Sequence, residues 1–107
     1  MNVGVSHHVD KSDQRPDGLY DFHYEYDVYD FAVGGRLLRA RAYVDTPNEV
    51  SFLGWYDLEG KHVASAVATR PPAETIRYLE EKGFSTITAL GSKGYEPIHG
   101  QSPGARP

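Results

Sequence analysis

Apolar and polar residues alternate strictly along residues 20–28, where Tyr, Phe and Val are separated by acidic residues and one histidine. This period of two is typical of a β-strand with one apolar face and one polar face. The apolar residues then change parity and continue at Phe31 and Val33, which predicts a β-bulge near residues 28–30. The polar residues of the strand form a single row: Asp21, His23, Glu25 and Asp27.

The same pattern predicts the order of the elements. The first strand covers residues 19–33, and Gly34-Gly35 turns it into a second strand over residues 36–45. The remaining apolar runs and turn residues predict strands over 50–56, 62–68 and 84–90, a helix over 72–82 and a short edge segment over 95–98. The order ββββαβ predicts an α+β fold, with a mainly antiparallel, strongly curved sheet and one short helix packed on one face.

Composition indicates one domain between two polar ends. Residues 1–17 and 99–107 contain few apolar side chains, so we expect flexible tails there and a single folded domain over residues 18–98. The chain contains no cysteine, which excludes disulfides and thiol chemistry. No secretory signal and no membrane-spanning apolar run is present in the sequence, so we expect a cytoplasmic protein without a membrane partner.

The charge is acidic and uneven. The formal net charge is −4, and residues 1–60 carry five Lys and Arg against eleven Asp and Glu. Nucleic acid is therefore not expected as a partner, because phosphate binding needs a basic surface.

A helix of about eleven residues is too small to cover the aromatic face of such a sheet. Three outcomes could hide the aromatic surplus: the sheet curls on itself, a second subunit covers it, or it lines a ligand groove. The surplus consists of seven side chains: Tyr20, Phe22, Tyr24, Tyr26, Phe52, Trp55 and Tyr56.

Candidate chemistry is sparse. The acidic row could hold a divalent metal or perform acid–base work, but alternate residues of one strand do not converge on one ion. We expect instead a solvated face, with Asp27 and Glu25 paired across to Arg39 and Arg41. His7-His8 lies in a predicted tail, which opposes metal binding. The sequence therefore predicts no catalytic residue, no metal and no cofactor.

The leading hypothesis is a non-catalytic binding or regulatory module, resembling an inhibitor or immunity protein at most, that presents an acidic and aromatic sheet surface to a protein partner. An alternative is a small-molecule-binding protein or enzyme with a pocket between helix and curved sheet, using His23 with Glu25 or Asp27. Another is a homodimeric structural accessory domain. The predicted binding surface contains Asp21, His23, Glu25, Asp27, Arg39, Arg41, Tyr43, Phe52 and Tyr56.

Overall fold

A computed structural model describes residues 2–64, 71–91 and 94–98. Those residues form a mostly β-structure with one short helix, as an α+β fold requires. The elements are β1 (Val3–Lys11), β2 (His23–Val33), β3 (Arg36–Tyr43), β4 (Glu49–Tyr56), β5 (His62–Ala64), α1 (Ala73–Glu81), β6 (Thr86–Gly91) and β7 (Gly94–Pro97).

The strands form one mixed, open sheet in the order β1-β2-β3-β4-β6-β7, and β5 pairs with β4 beside this path. Every pairing is antiparallel except that of β4 with β6, which is parallel because α1 lies between them in the chain. The sheet is therefore mainly antiparallel, as predicted, but its order contains two strands more than the predicted ββββαβ. No helix in the described part of the chain is long and apolar enough to cross a membrane.

The hairpin between β2 and β3 is confirmed. Val33 pairs with Arg36, and Gly34 and Gly35 have φ values of 56° and 80°. Positive φ at both central residues is what a type I′ turn needs, and only glycine adopts it without steric cost.

The predicted bulge near residues 28–30 is wrong. The pairing of β2 with β1 and with β3 runs without a register shift, so parity along β2 is constant. The irregularity lies in β4 instead, where Gly54 pairs with Arg39 but Phe52 pairs with Ala40, leaving Leu53 as an extra residue.

Helix α1 begins one residue after and ends one residue before the predicted bounds of 72–82. Pro72 precedes its first residue, and Gly83 follows with a φ of 102°. The amide of Phe84 donates to the carbonyl of Leu79 at 3.2 Å, and that of Gly83 donates to Glu80 at 3.0 Å. These two bonds form a Schellman motif, which satisfies carbonyls at the helix end.

One face of the sheet packs against α1 and is called the helix face. Tyr29 and Phe31 of β2 contact Tyr78 of α1, with ring centroids 6.3 and 5.5 Å apart. Directly opposed residues of neighbouring strands share a face, which extends this core across the sheet. Its buried members are Tyr29, Phe31, Leu38, Ala40, Ala42, Val50, Phe52, Ile76, Leu79 and Ile87.

The structure differs from the expectation at the N-terminus, because Val3–Lys11 forms β1 rather than part of a tail. This strand pairs with β2 along its whole length, from Val3 opposite Phe31 to Lys11 opposite His23. The second predicted tail, residues 99–107, lies outside the described residues, as do residues 65–68 of the strand predicted over 62–68.

Candidate functional site

The second face of the sheet carries no helix among the residues that the structure describes and is called the open face. Cross-strand pairing places Tyr26 opposite Tyr43 and His8, and Val28 opposite Arg41. Even-numbered residues of β1 and β2 therefore share this face with odd-numbered residues of β3. The aromatic and cationic members of the open face are His8, Tyr24, Tyr26, Arg39, Arg41, Tyr43 and Tyr56.

Tyr43 lies at the centre of an aromatic cluster. Its ring centroid is 6.0 Å from that of Tyr24 and 5.6 Å from that of Tyr26. The guanidinium of Arg41 lies 4.8 Å from the Tyr43 centroid and 5.8 Å from the Tyr26 centroid. These distances place the cation in range of both ring faces. Tyr24 is 52% exposed, so the cluster opens directly to solvent.

Two of the three arginines of β3, Arg39 and Arg41, are in different electrostatic states. Arg39 donates two hydrogen bonds to Asp30, at 2.8 and 3.1 Å, and stacks over the Tyr56 ring at 4.0 Å. The hydrogen bond to Asp30 raises the pKa of Arg39, so its charge is fixed and already neutralised. Arg41, by contrast, makes no ion pair with any carboxylate in the described part of the chain.

Two side chains of β1 contact Tyr26 at the edge of the open face. The Tyr26 hydroxyl donates a 2.7 Å hydrogen bond to Asp10, and the His8 ring stacks on Tyr26 with centroids 5.3 Å apart. The bond to the Asp10 carboxylate raises the pKa of Tyr26, because ionisation would place two negative charges side by side. Strand β1 therefore orients the tyrosine that Arg41 contacts.

Two clefts lie on the open face and share Tyr43 and Thr46. The larger, of about 330 Å³, is also lined by Tyr24 and Asp45. The smaller, of about 130 Å³, contains the Arg41 side chain. Together they form a groove that runs past the aromatic cluster. The remaining lining residues of the smaller cleft are Glu49, Ser51 and Tyr95.

A separate cluster lies at the end of the helix face, beyond α1. His7 Nδ1 is 2.6 Å from Asp27 Oδ1, and its Nε2 is 2.7 Å from Glu25 Oε2. Carboxylates only accept, so both contacts are hydrogen bonds together only when each ring nitrogen carries a proton, as in the imidazolium form. The hydrogen bond to Asp27, followed by that to Glu25, raises the pKa of His7 above its ordinary 6.5.

This His7 cluster is poorly arranged for catalysis or metal binding. Both ring nitrogens are engaged, so neither is free to accept a proton from a substrate. The two carboxylates lie on opposite sides of the ring and do not converge on one point. Within the described residues, no group of three or more His, Asp or Glu side chains is placed to hold a metal ion.

The structure divides the predicted binding surface between the two faces. Arg39, Arg41, Tyr43 and Tyr56 share the open face, whereas Glu25 and Asp27 lie on the helix face. The predicted ion pairs between the acidic row and the arginines are therefore wrong, and Asp27 lies opposite Ala42.

Three other residues of the predicted binding surface lie elsewhere. Two lie away from both clusters, and the third lies inside the protein. Asp21 precedes β2 and lies 3.5 Å from Arg15, and His23 packs beside the Tyr20 ring at 5.8 Å. Phe52 is fully buried, so its assignment to the surface is wrong. The β4 bulge at Leu53 causes this difference, because it shifts Tyr56 to the open face and leaves Phe52 beneath the helix.

Sequence reasoning missed several members of the site. The alternation in β2 could have indicated Tyr24 and Tyr26, because both lie at the alternate positions that are aromatic. His7, His8 and Asp10 were missed because they lie in β1, which was predicted to be part of a flexible tail.

Comparison of the chain with protein-family models, with curated proteins and with solved structures finds no match. The proposals below therefore depend on the geometry of the site and on general physical chemistry.

Proposed function

We propose that this chain is a small, cytoplasmic, non-catalytic binding module that presents the open face of its sheet to a protein partner. The observation that carries the proposal is Arg41, a cation without a carboxylate partner in the described part of the chain, held between Tyr26 and Tyr43 on an uncovered face. A guanidinium fixed by aromatic rings loses little further freedom when it binds a carboxylate.

The chemistry around Arg41 is that of an interface centre. Tyrosine and arginine are enriched where binding energy concentrates, because tyrosine buries a large area with few rotatable bonds and arginine offers a planar cation with several hydrogen-bond donors. Tyr24 and Tyr43 line the larger cleft beside Arg41, which provides an apolar recess next to a cation. The proposed partner surface therefore combines an acidic side chain for Arg41 with an apolar or aromatic side chain for the recess.

Charge favours a protein over a nucleic acid. The chain has a net charge of −4, and the open face carries Asp30 beside Arg39 and Asp10 beside Tyr26. Phosphate backbones would be repelled by these carboxylates, whereas a mixed protein surface can complement both signs. The proposal includes the strong curvature predicted for the sheet, which would let a partner contact both rims of the groove.

The test begins with finding the partner by proximity. A photoreactive phenylalanine analogue at position 24, on the open face, is compared in native cells with the same analogue at position 77, on α1. We expect a cross-linked protein specific to position 24, since Arg77 is exposed away from the open face.

The purified partner then allows a quantitative test by calorimetry. We expect Arg41→Ala to weaken binding at least about tenfold, as loss of a central arginine does, and Arg41→Lys to weaken it less. The matched control is Arg77→Ala, which should change affinity by less than about twofold. Equal losses from Arg41→Ala and Arg77→Ala, with both variants folded by circular dichroism, would refute the open face as the interface.

A further inference from the structure

Strand β1 forms one edge of the sheet in the part of the chain that the structure describes. It is nine residues long, contains no proline, carries its single lysine at its last position, Lys11, and pairs with β2 without a bulge. Long, regular edges of this kind readily accept another strand, and proteins normally block them with proline, bulges or lysine. The opposite edge, β7, is only four residues long and ends at Pro97.

The hydrogen-bonding parity of β1 can be established from its two ends. Ser12 N donates to Phe22 O at 3.0 Å, and Ala32 N donates to Asn2 O at 3.0 Å. In an antiparallel pair, alternate residues bond to the same neighbour, so even-numbered residues of β1 bond to β2. The amides and carbonyls of the odd-numbered residues consequently point outward along the free edge.

The central five residues of β1, from Val5 to Val9, are symmetric about His7 in the chemistry of their side chains. Val5 and Val9 lie two residues before and after it, and Ser6 and His8 lie one residue away. An antiparallel pairing of β1 with itself, centred on His7, places Val5 opposite Val9 of a second copy. It also places Ser6 opposite His8, so these central pairs match in polarity, whereas the outermost pair sets Val3 opposite Lys11.

This register also allows the outward-facing backbone amides and carbonyls of the two β1 strands to form hydrogen bonds with each other. It pairs odd-numbered residues only with odd-numbered residues, whose amides and carbonyls are the ones that face outward. A slip of one residue would pair outward groups with inward ones, and a slip of two would oppose Val5 to His7 or Lys11.

We propose that β1 binds β1 of a second copy of this chain, in antiparallel register centred on His7, to form one continuous sheet with two-fold symmetry. Val5 and Val9, which are 54% and 48% exposed, then cover each other on the helix face. The two His7 rings lie opposite each other at the axis, and each ring keeps its contacts with Glu25 and Asp27 of its own chain. This interface is separate from the open face and does not depend on the function proposed above.

The register is tested by disulfide trapping, for which the cysteine-free chain is a clean background. Ser6 and His8 would form a non-hydrogen-bonded pair, with Cα atoms about 4.5 Å apart, within disulfide range. We expect Ser6→Cys protein mixed with His8→Cys protein to form a covalent heterodimer on mild oxidation, faster than either variant alone. Faster cross-linking of either variant alone would overturn the proposed register.

The association itself is tested by light scattering across a concentration series. We expect the wild type to reach the mass of a dimer and Val9→Lys to weaken dimerisation at least about tenfold, because an edge lysine blocks strand pairing. The matched control is Val63→Lys on β5, since Val63 is 45% exposed and Val9 is 48% exposed. A wild type that stays monomeric at all concentrations, or equal effects of the two substitutions, would overturn the proposal.

Discussion

Replacing Phe52 with alanine should be among the most damaging single changes in this protein. Phe52 is fully buried, with its ring centroid 6.1 Å from that of Phe31. Its cross-strand neighbours are Ala40 and Ala89, which are too small to fill the space that a lost ring would leave. Truncation to alanine uncovers about 150 Å² of apolar contact, which at ~25 cal/mol per Å² corresponds to about 4 kcal/mol. That figure lies within the usual range for such cavities, roughly 3–5 kcal/mol.

Urea denaturation followed by fluorescence or circular dichroism measures this loss directly. A 107-residue domain is stable by roughly 5–15 kcal/mol, so Phe52→Ala should lower the midpoint strongly or prevent folding. Phe52→Leu should retain a large part of the stability because it refills most of the cavity. The control is Phe22→Ala, at a phenylalanine that is 46% exposed, where we expect less than about 1 kcal/mol. Equal losses for Phe52→Ala and Phe22→Ala would contradict the assignment of Phe52 to the core.

Three further outcomes are expected. The pKa of His7 should lie above 6.5. The stabilisation from its two carboxylates is then complete below pH 6.5 and is lost as the pH rises through the raised pKa. An NMR titration midpoint at or below 6.5 would contradict this. A double-mutant cycle on Asp30 and Arg39 should give a coupling of about 1 kcal/mol, and a value near zero would remove that pair from the stability of the sheet. Calorimetry with zinc, manganese and calcium should show no sub-micromolar site, and a tight isotherm abolished by His23→Ala would overturn that expectation.

The parts of the fold that could be predicted are those with a local physical signal. Two glycines with positive φ specify the β2–β3 turn wherever alternating strands flank them. Pro72 and Gly83 specify the ends of α1 because each suits only one end of a helix. Neither prediction required knowledge of distant contacts.

The parts that failed depend on partners far away in the chain. Strand β1 is mostly exposed, and its valines alternate with polar residues that also suit a tail, so only its pairing with β2 makes it a strand. The parallel contact of β6 with β4 likewise depends on the path of the chain through α1. The acidic residues of β2 were assigned arginine partners because the parity change at Phe31 was interpreted as a bulge.

That parity change has a simpler cause, which is the length of the helix. The nine residues of α1 extend about 14 Å, whereas the eleven residues of β2 extend about 36 Å. The core beneath the helix takes in the last five residues of β2, where the odd-numbered residues Tyr29, Phe31 and Val33 are apolar. In the first half of β2 the residues on the helix face are polar instead. The aromatic residues there are the even-numbered Tyr24 and Tyr26, which lie on the open face.

These two tyrosines therefore do not contribute to the core, although they continue the alternation of a strand that does. A surface strand with no helix above it is stable with polar residues on both faces, so the packing of the core does not require aromatic rings there. We propose that their position around Tyr43 and Arg41 on the open face serves contact with another molecule, an explanation that rests on the function proposed above. If that explanation is correct, Tyr24→Ser should leave the urea midpoint nearly unchanged and weaken partner binding, and a large loss of stability in this variant would show that the tyrosine serves the fold alone.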